Sequence, residues 1–139
     1  MGLYFHVQLL VKQPFGADPT VIRMPCLGNS AIRRVIAPLM QKHEFMGKQC
    51  IPSQGELPFH EDSPAYLAVE RLHEDYKRRL DDARRERDEL YEHPDRGDWS
   101  VAHDFIENLD PFYKLIGNTL SAAQSIDDND YISARIVWC

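Results

Sequence analysis

Apolar and polar residues alternate near both ends of the chain, the pattern of a strand with one face on a core. The first alternation consists of Leu3, Phe5, Val7, Leu9 and Val11, and the last of Ile132, Ala134, Ile136 and Trp138. Because successive side chains of a strand point to opposite faces, these runs predict strands over residues 3–11 and 131–138. The short run Thr20–Met24 predicts a second strand that returns along the first as a hairpin.

Between these strands apolar residues recur every three or four positions, which predicts helices. A first helix follows Ser30, whose hydroxyl can cap it, and Pro38 is expected to kink or break it near Ala37. Residues 48–62 contain Pro52, Gly55 and Pro58 among short apolar pieces and predict an irregular loop with an edge strand near Cys50.

The longest helical pattern starts at Ser63-Pro64, a serine cap followed by the proline that suits a first helical turn, and ends before Pro94. A turn follows, and residues 99–109 then predict another helix. Asp110-Pro111 repeats the cap-and-proline start, so residues 111–123 are predicted as a separate last helix.

These elements predict an α+β fold. A small antiparallel sheet is formed by the N- and C-terminal strands and packs with about four helices, including one long charged helix over about residues 64–93. The length of 139 residues suits a single domain, 1–139. A two-lobed arrangement is the alternative, with residues 1–62 rich in strands and residues 63–139 mainly helical.

The long helix has two unlike halves. Residues 64–80 carry an apolar stripe that predicts an anchored segment, whereas residues 81–89 hold only Ala83 as an apolar residue and predict a projecting one. Opposite charges four positions apart, such as Asp81 and Arg85, stabilise a helix without requiring a packing partner. A second interpretation is an apolar seam against another helix or a second copy of the chain, formed by Tyr76, Leu80, Ala83, Leu90 and Tyr91.

The composition argues against a membrane protein and against a protein built on disulfides or zinc. The chain is 43% hydrophobic and 27% charged, and no stretch approaches the ~20 apolar residues that cross a bilayer, so no membrane association is expected. The start of the sequence lacks a basic leader, and the three cysteines, Cys26, Cys50 and Cys139, are too far apart to indicate a disulfide framework or a zinc site. These features predict a cytoplasmic protein.

Charge is distributed unevenly. The net charge of -6 divides into +1 for residues 1–62 (six bases, five acids), -2 for 63–93 (seven, nine) and -5 for 94–139 (three, eight). The long helix interleaves its bases with acids, so direct nucleic-acid binding is not expected. The acids of the last third are Asp95, Asp98, Asp104, Glu107, Asp110, Asp127, Asp128 and Asp130. We expect them to be exposed and to bind a protein partner with a basic surface.

Few residues suggest catalysis. His103-Asp104 resembles the His-Asp metal pair of HD-type phosphohydrolases, which implies a metal-dependent hydrolase that also uses an upstream histidine, His73 or His93, and a later aspartate, Asp110 or Asp127. Residues 128–130 lack the glycine and glutamate of a calcium loop, and residues 60–62 are interpreted as the start of the long helix. Because phosphate loops, dinucleotide fingerprints and nucleophile elbows are absent, no catalytic residue, metal or cofactor is predicted.

The leading hypothesis is therefore a non-enzymatic, acidic protein-interaction module. Its best-fitting role is an inhibitor or modulator of the basic nucleic-acid-binding surface of a larger complex, by analogy with anti-CRISPR and other anti-defence proteins of phages. Two alternatives stand beside it. One is a small metal-dependent hydrolase that uses His103 and Asp104, and the other is a homodimeric structural module joined through the long helix.

Overall fold

Strands from the two ends of the chain pair at the centre of the main sheet. The computed structural model describes residues 3–13, 16, 18–24, 27–28, 30–127 and 131–139. Its strands are β1 (Phe5–Val11), β2 (Thr20–Arg23), β3 (His43–Phe45), β4 (Lys48–Cys50), β5 (Gly55–Pro58) and β6 (Tyr131–Trp138). The main sheet is antiparallel with the order β2-β1-β6-β5. The prediction of a small antiparallel sheet formed by the terminal strands is confirmed.

One face of this sheet forms half of the core. Three cross-strand pairs of β1 and β6 are buried on that face: Phe5 with Trp138, Val7 with Ile136, and Leu9 with Ala134. The strict alternation of the two strands places these six side chains on the same side. Helices cover this side, so the molecule has one layer of sheet and one layer of helices.

The helices of the described residues are α1 (Ser30–Ile36), α2 (Pro64–Glu92) and α3 (Trp99–Gln124). The long helix is confirmed, but the expected number of about four helices is wrong, because residues 99–124 form one continuous helix through Pro111. Ile106, Leu109, Tyr113, Ile116 and Leu120 lie on the inward face of α3 on both sides of this proline. Pro111 itself is exposed, so the hydrogen bond that it cannot donate is lost on the solvent side. Packing along the whole stripe keeps the helix continuous.

Two other sequence signals are confirmed. Helix α1 ends at Ile36, and Pro38 lies in a 3₁₀ turn, Ala37–Leu39, that follows it. Ser63 caps α2: its Oγ accepts a hydrogen bond from the Tyr66 amide at 3.3 Å and donates one to the His60 carbonyl at 2.8 Å. The serine is buried, so its hydroxyl satisfies backbone groups that water does not reach.

The loop prediction for residues 48–62 is only partly correct. Strand β5 is an edge strand of the main sheet, and β4 pairs with β3 in a separate two-stranded hairpin. The two residues of its turn, Met46 and Gly47, both have positive φ, at 51° and 76°. Two-residue turns of this kind twist in the same sense as the strands and favour Asn-Gly, so Met46 pays a conformational penalty in an exposed position.

Met46→Asn is therefore expected to stabilise the β3–β4 hairpin by about 0.5–1 kcal/mol. Asparagine tolerates the left-handed conformation better than methionine, and the methionine side chain is 85% exposed, so little packing is lost. Amide hydrogen exchange of residues 43–50 is the measurement, with Phe45→Asn as a control that changes an adjacent exposed side chain. Faster exchange in the Met46 variant than in the natural protein would contradict the assignment of the turn.

Candidate interaction site on the helical hairpin

Helices α2 and α3 form a hairpin joined by the 3₁₀ turn Pro94–Arg96 and by Gly97. Near the sheet both helices contribute to the main core. Further along, Leu80 and Ala83 of α2 are buried with Ile106 of α3 in a second cluster that contains no strand residue. The part of the hairpin distant from the sheet is thus held together by its own side chains.

This packing changes the expectation for residues 81–89. They do not project alone, because α3 lies alongside them. Among the ion pairs observed within residues 81–89, none has the expected spacing of four positions; Asp81, for example, pairs with Arg84 at 3.6 Å. Arg84 also reaches across to Asp110 of α3 at 3.2 Å, and Arg96 after the turn contacts Glu89 at 3.0 Å. Solvent-exposed pairs of this kind each contribute little, about 0.2–1 kcal/mol.

The residues predicted to form a seam against another helix or a second copy differ in how far they are buried. Tyr76, Leu80 and Ala83 are buried within the chain, so they form a seam between helices of one molecule and are not accessible to another. Leu90 is half-buried beside Gly97 at the turn, and Tyr91 is 70% exposed. Of the five residues, only Leu90 and Tyr91 are accessible to a second copy.

At the turn end of the hairpin, aromatic side chains contact one another in a row. Tyr91 packs edge-on against Trp99 with ring centroids 6.1 Å apart, and Trp99 packs edge-on against His103 at 5.4 Å. His103 Nε2 lies 3.8 Å from a carboxylate oxygen of Glu107, one turn further along α3. We call this set, together with the neighbouring exposed Asp104, the tip ridge. It combines a 38% exposed tryptophan with exposed carboxylates.

The predicted acidic residues do not form one surface. Asp95 and Asp98 lie at the turn, and Asp104 and Glu107 lie on the first half of α3, all four exposed. Asp127 lies in the 3₁₀ turn beyond the other end of α3, about 39 Å away by the rise of a 26-residue helix. Asp128 and Asp130 lie outside the described residues.

Two of these acids have structural partners. Asp98 caps α3, and the hydrogen bond from the Ser100 backbone amide, at 2.9 Å, lowers the pKa of its carboxyl group, with the Ser100 hydroxyl adding to the effect. Asp110 lies between Arg84 at 3.2 Å and Lys114 at 2.8 Å. Among the predicted acids at this end that the structure describes, Asp95, Asp104 and Glu107 have no lysine or arginine partner and, unlike Asp98, do not cap a helix. These are the carboxylates available to a partner.

Sequence reasoning missed the aromatic part of this site. The spacing of apolar residues in 99–109 predicts that Trp99 and Phe105 lie on the buried face of their helix, yet both are more than a third exposed. The inward direction is set by Ala102, Ile106 and Leu109, and at 100° per residue Trp99 and Phe105 fall on opposite margins of that stripe. A helical projection centred on the small Ala102 would have shown this.

The residues that resemble a phosphohydrolase site are not assembled. His73 stacks on Tyr113 at 4.4 Å and lies beside Gly117, fourteen residues along α3 from His103, a separation of about 21 Å. Burial lowers the pKa of His73, which favours the neutral ring in this stack. Among the described residues no three His, Cys, Asp or Glu side chains are grouped closely enough to hold a metal ion.

Comparisons with known proteins give no relative: no family model, characterised protein or solved structure matches the chain. Among the helices of the residues given above, none has the apolar length that crossing a membrane requires. Of the cysteines, Cys50 and Cys139 are free thiols, and Cys26 lies outside the described residues.

Proposed function

We propose that this protein is a non-enzymatic interaction module whose tip ridge binds a basic surface of a larger protein. The observation that carries the proposal is the continuous, solvent-accessible row of Tyr91, Trp99, His103 and Glu107 at the end of the helical hairpin. Tyrosine and tryptophan are the residues that most often dominate binding energy, since they bury a large area while few torsions are fixed.

The carboxylates beside these rings determine the kind of partner. Asp95, Asp104 and Glu107 give this end of the molecule a negative potential that attracts lysine and arginine and repels acidic proteins. The arginines of this end do not reverse this sign, because residues 81–107 contain ten acids and only four bases.

Surfaces that bind nucleic acid are strongly basic and present planar groups for stacking. A ridge that combines carboxylates with exposed aromatic rings fits such a surface and would compete with its nucleic acid. The proposed role is accordingly that of an inhibitor or modulator of a nucleic-acid-binding complex, analogous to phage proteins directed against host defence.

The test is affinity capture from a lysate of the cell that produces the protein, read by quantitative mass spectrometry. We expect Trp99→Ala to weaken capture of the partner about thirtyfold, as for the loss of an aromatic hot spot. The double variant Asp104→Lys/Glu107→Lys should weaken it at least about tenfold and reduce its dependence on salt.

Glu44→Lys/Glu61→Lys is the matched control, because it makes the same charge change at exposed positions far from the ridge in the chain. It should capture the same proteins as the natural sequence. An identical set of captured proteins from the ridge variants would exclude the proposal. Displacement of a labelled oligonucleotide from the captured complex then tests the role as an inhibitor.

A further inference from the structure

A groove runs along the flank of the hairpin that does not carry the tip ridge. It consists of two depressions of about 350 and 330 Å³ that share Arg79 and Phe105. The first extends toward Glu86 and Val101, and the second toward Phe112 and the N-terminal part of α1. From Val101 to Phe112 the groove follows α3 for about 16 Å.

The floor and wall of this groove are apolar and open. Val101 is 71% exposed, Phe105 42% and Phe112 43%, and their spacing of four and seven residues places them on one side of α3. In the second half of α3 the same side is buried, because Thr119 and Ala123 lie on it about two and three turns beyond Phe112. The side that packs into the protein body therefore continues beyond the body as an uncovered apolar surface.

The two ends of the groove carry opposite charges. Glu86 and Asp82 line the end near Val101, and Arg34 of α1 lines the end near Phe112. Asp82 pairs with Arg85 on its own helix. Neither Glu86 nor Arg34 forms an ion pair with any residue in the described ranges. An unpaired anion at one end and an unpaired cation at the other make the groove electrostatically self-complementary.

We propose that a second copy of this chain occupies the groove, with the two α3 helices antiparallel across a two-fold axis between Phe105 and Asn108. The midpoint of Val101 and Phe112 falls between these residues, so Val101 of each copy meets Phe112 of the other. The same rotation brings Glu86 of each copy to Arg34 of the other, twice per dimer. A closed two-fold interface uses one patch on both copies, as this charge arrangement requires.

The small area of the groove limits the strength of the dimer. A surface about 16 Å long and two helices wide is roughly 300 Å² per copy, well below the ~800 Å² per partner of a typical stable complex. The dimer is accordingly weak and reversible, with a dissociation constant of about 10–100 µM. The tip ridge lies on another side of α3 and stays open in this dimer, which presents two ridges to a partner.

Sedimentation equilibrium from about 1 to 500 µM provides the test. The natural protein should show a monomer–dimer equilibrium. Arg34→Glu places two acids together at both ends of the interface, and Glu86→Arg places two bases together, so each variant alone should dimerise at least about tenfold more weakly. An equimolar mixture of the two variants has opposite charges at both contacts and should regain a mixed dimer of natural strength.

Arg33→Glu and Glu92→Arg are the matched controls, because they make the same changes at exposed positions on the same helices outside the groove. Both should dimerise like the natural protein. A natural protein that stays monomeric to about 500 µM, a mixture that fails to dimerise, or controls that weaken as much as the groove variants would each overturn the proposal. The variant Glu107→Lys changes only the tip ridge, so it should dimerise like the natural protein. Its dimerisation therefore tests this proposal separately from the proposed function.

Discussion

Leu80→Ala is expected to lower the free energy of unfolding by about 2–4 kcal/mol. The Leu80 side chain is fully buried between α2 and α3, where it contacts a cluster that has no support from the sheet. Removing three carbons there leaves a cavity that two long, rigid helices close poorly. Urea denaturation followed by far-ultraviolet circular dichroism measures the loss.

The residues whose amide exchange becomes faster distinguish this packing from a projecting helix. Amides of residues 84–105 should exchange faster in the Leu80 variant, while those of β1 and β6 keep most of their protection. Leu67→Ala removes the same atoms from the same helix at a position that is 40% exposed, and should cost below about 1 kcal/mol. Equal losses from the two variants would contradict the burial of Leu80 between the helices.

Gly55→Ala is expected to destabilise the protein by about 2–3 kcal/mol through a single added methyl group. A Cβ at this position would overlap the six-membered ring of Trp138, with Cε2 only 2.9 Å away. The indole cannot move freely, because it is buried against Phe5 and its Nε1 donates a hydrogen bond to the Pro52 carbonyl at 3.2 Å. The edge strand β5 would have to separate from β6 to admit the methyl group.

A double-mutant cycle isolates this clash. Trp138→Phe removes the overlapping atoms, so Gly55→Ala should cost much less in that background than in the natural protein, with a coupling of about 1–2 kcal/mol. Near-ultraviolet circular dichroism reports the packing of the indole in each variant. Additive losses in the two single variants would show that Gly55 and Trp138 are not in contact.

The strands at the ends of the chain were predictable because each buries alternate residues against one layer of helices. Strands β3, β4 and β5 were less so, since they are three or four residues long and the turn at Met46-Gly47 lacks the usual asparagine. Local signals also misplaced a helix start at Asp110-Pro111. That pair has the chemistry of a cap, but the packing of Ile106 and Tyr113 on α2 outweighs it.

In the candidate site, too, features set by one helix were predictable, whereas features set by the packing of two helices were not. The exposed acids Asp104 and Glu107 were predictable, because they lie off the apolar stripe of their helix. The exposure of Trp99 was not, and the seam at Ala83 was one of two interpretations of its helix, since both depend on how closely a second helix approaches. A small buried residue allows the two helices to approach closely. Side chains at the margins of the apolar stripe, such as Trp99, then remain outside the interface between the helices.

The pairing of β1 with β6 has a kinetic consequence. Val7 and Ile136 face each other across 129 positions of sequence, so the central ladder of the sheet closes the longest loop in the fold. At a synthesis rate of about 5–20 residues per second, the 120 positions between Val11 and Tyr131 keep β1 without its main partner for roughly 6–24 s. The helical hairpin consists of local contacts and can form during that interval, whereas the apolar strand β1 has only the short β2 as a partner. The newly made chain is therefore most exposed to aggregation before β6 is synthesised.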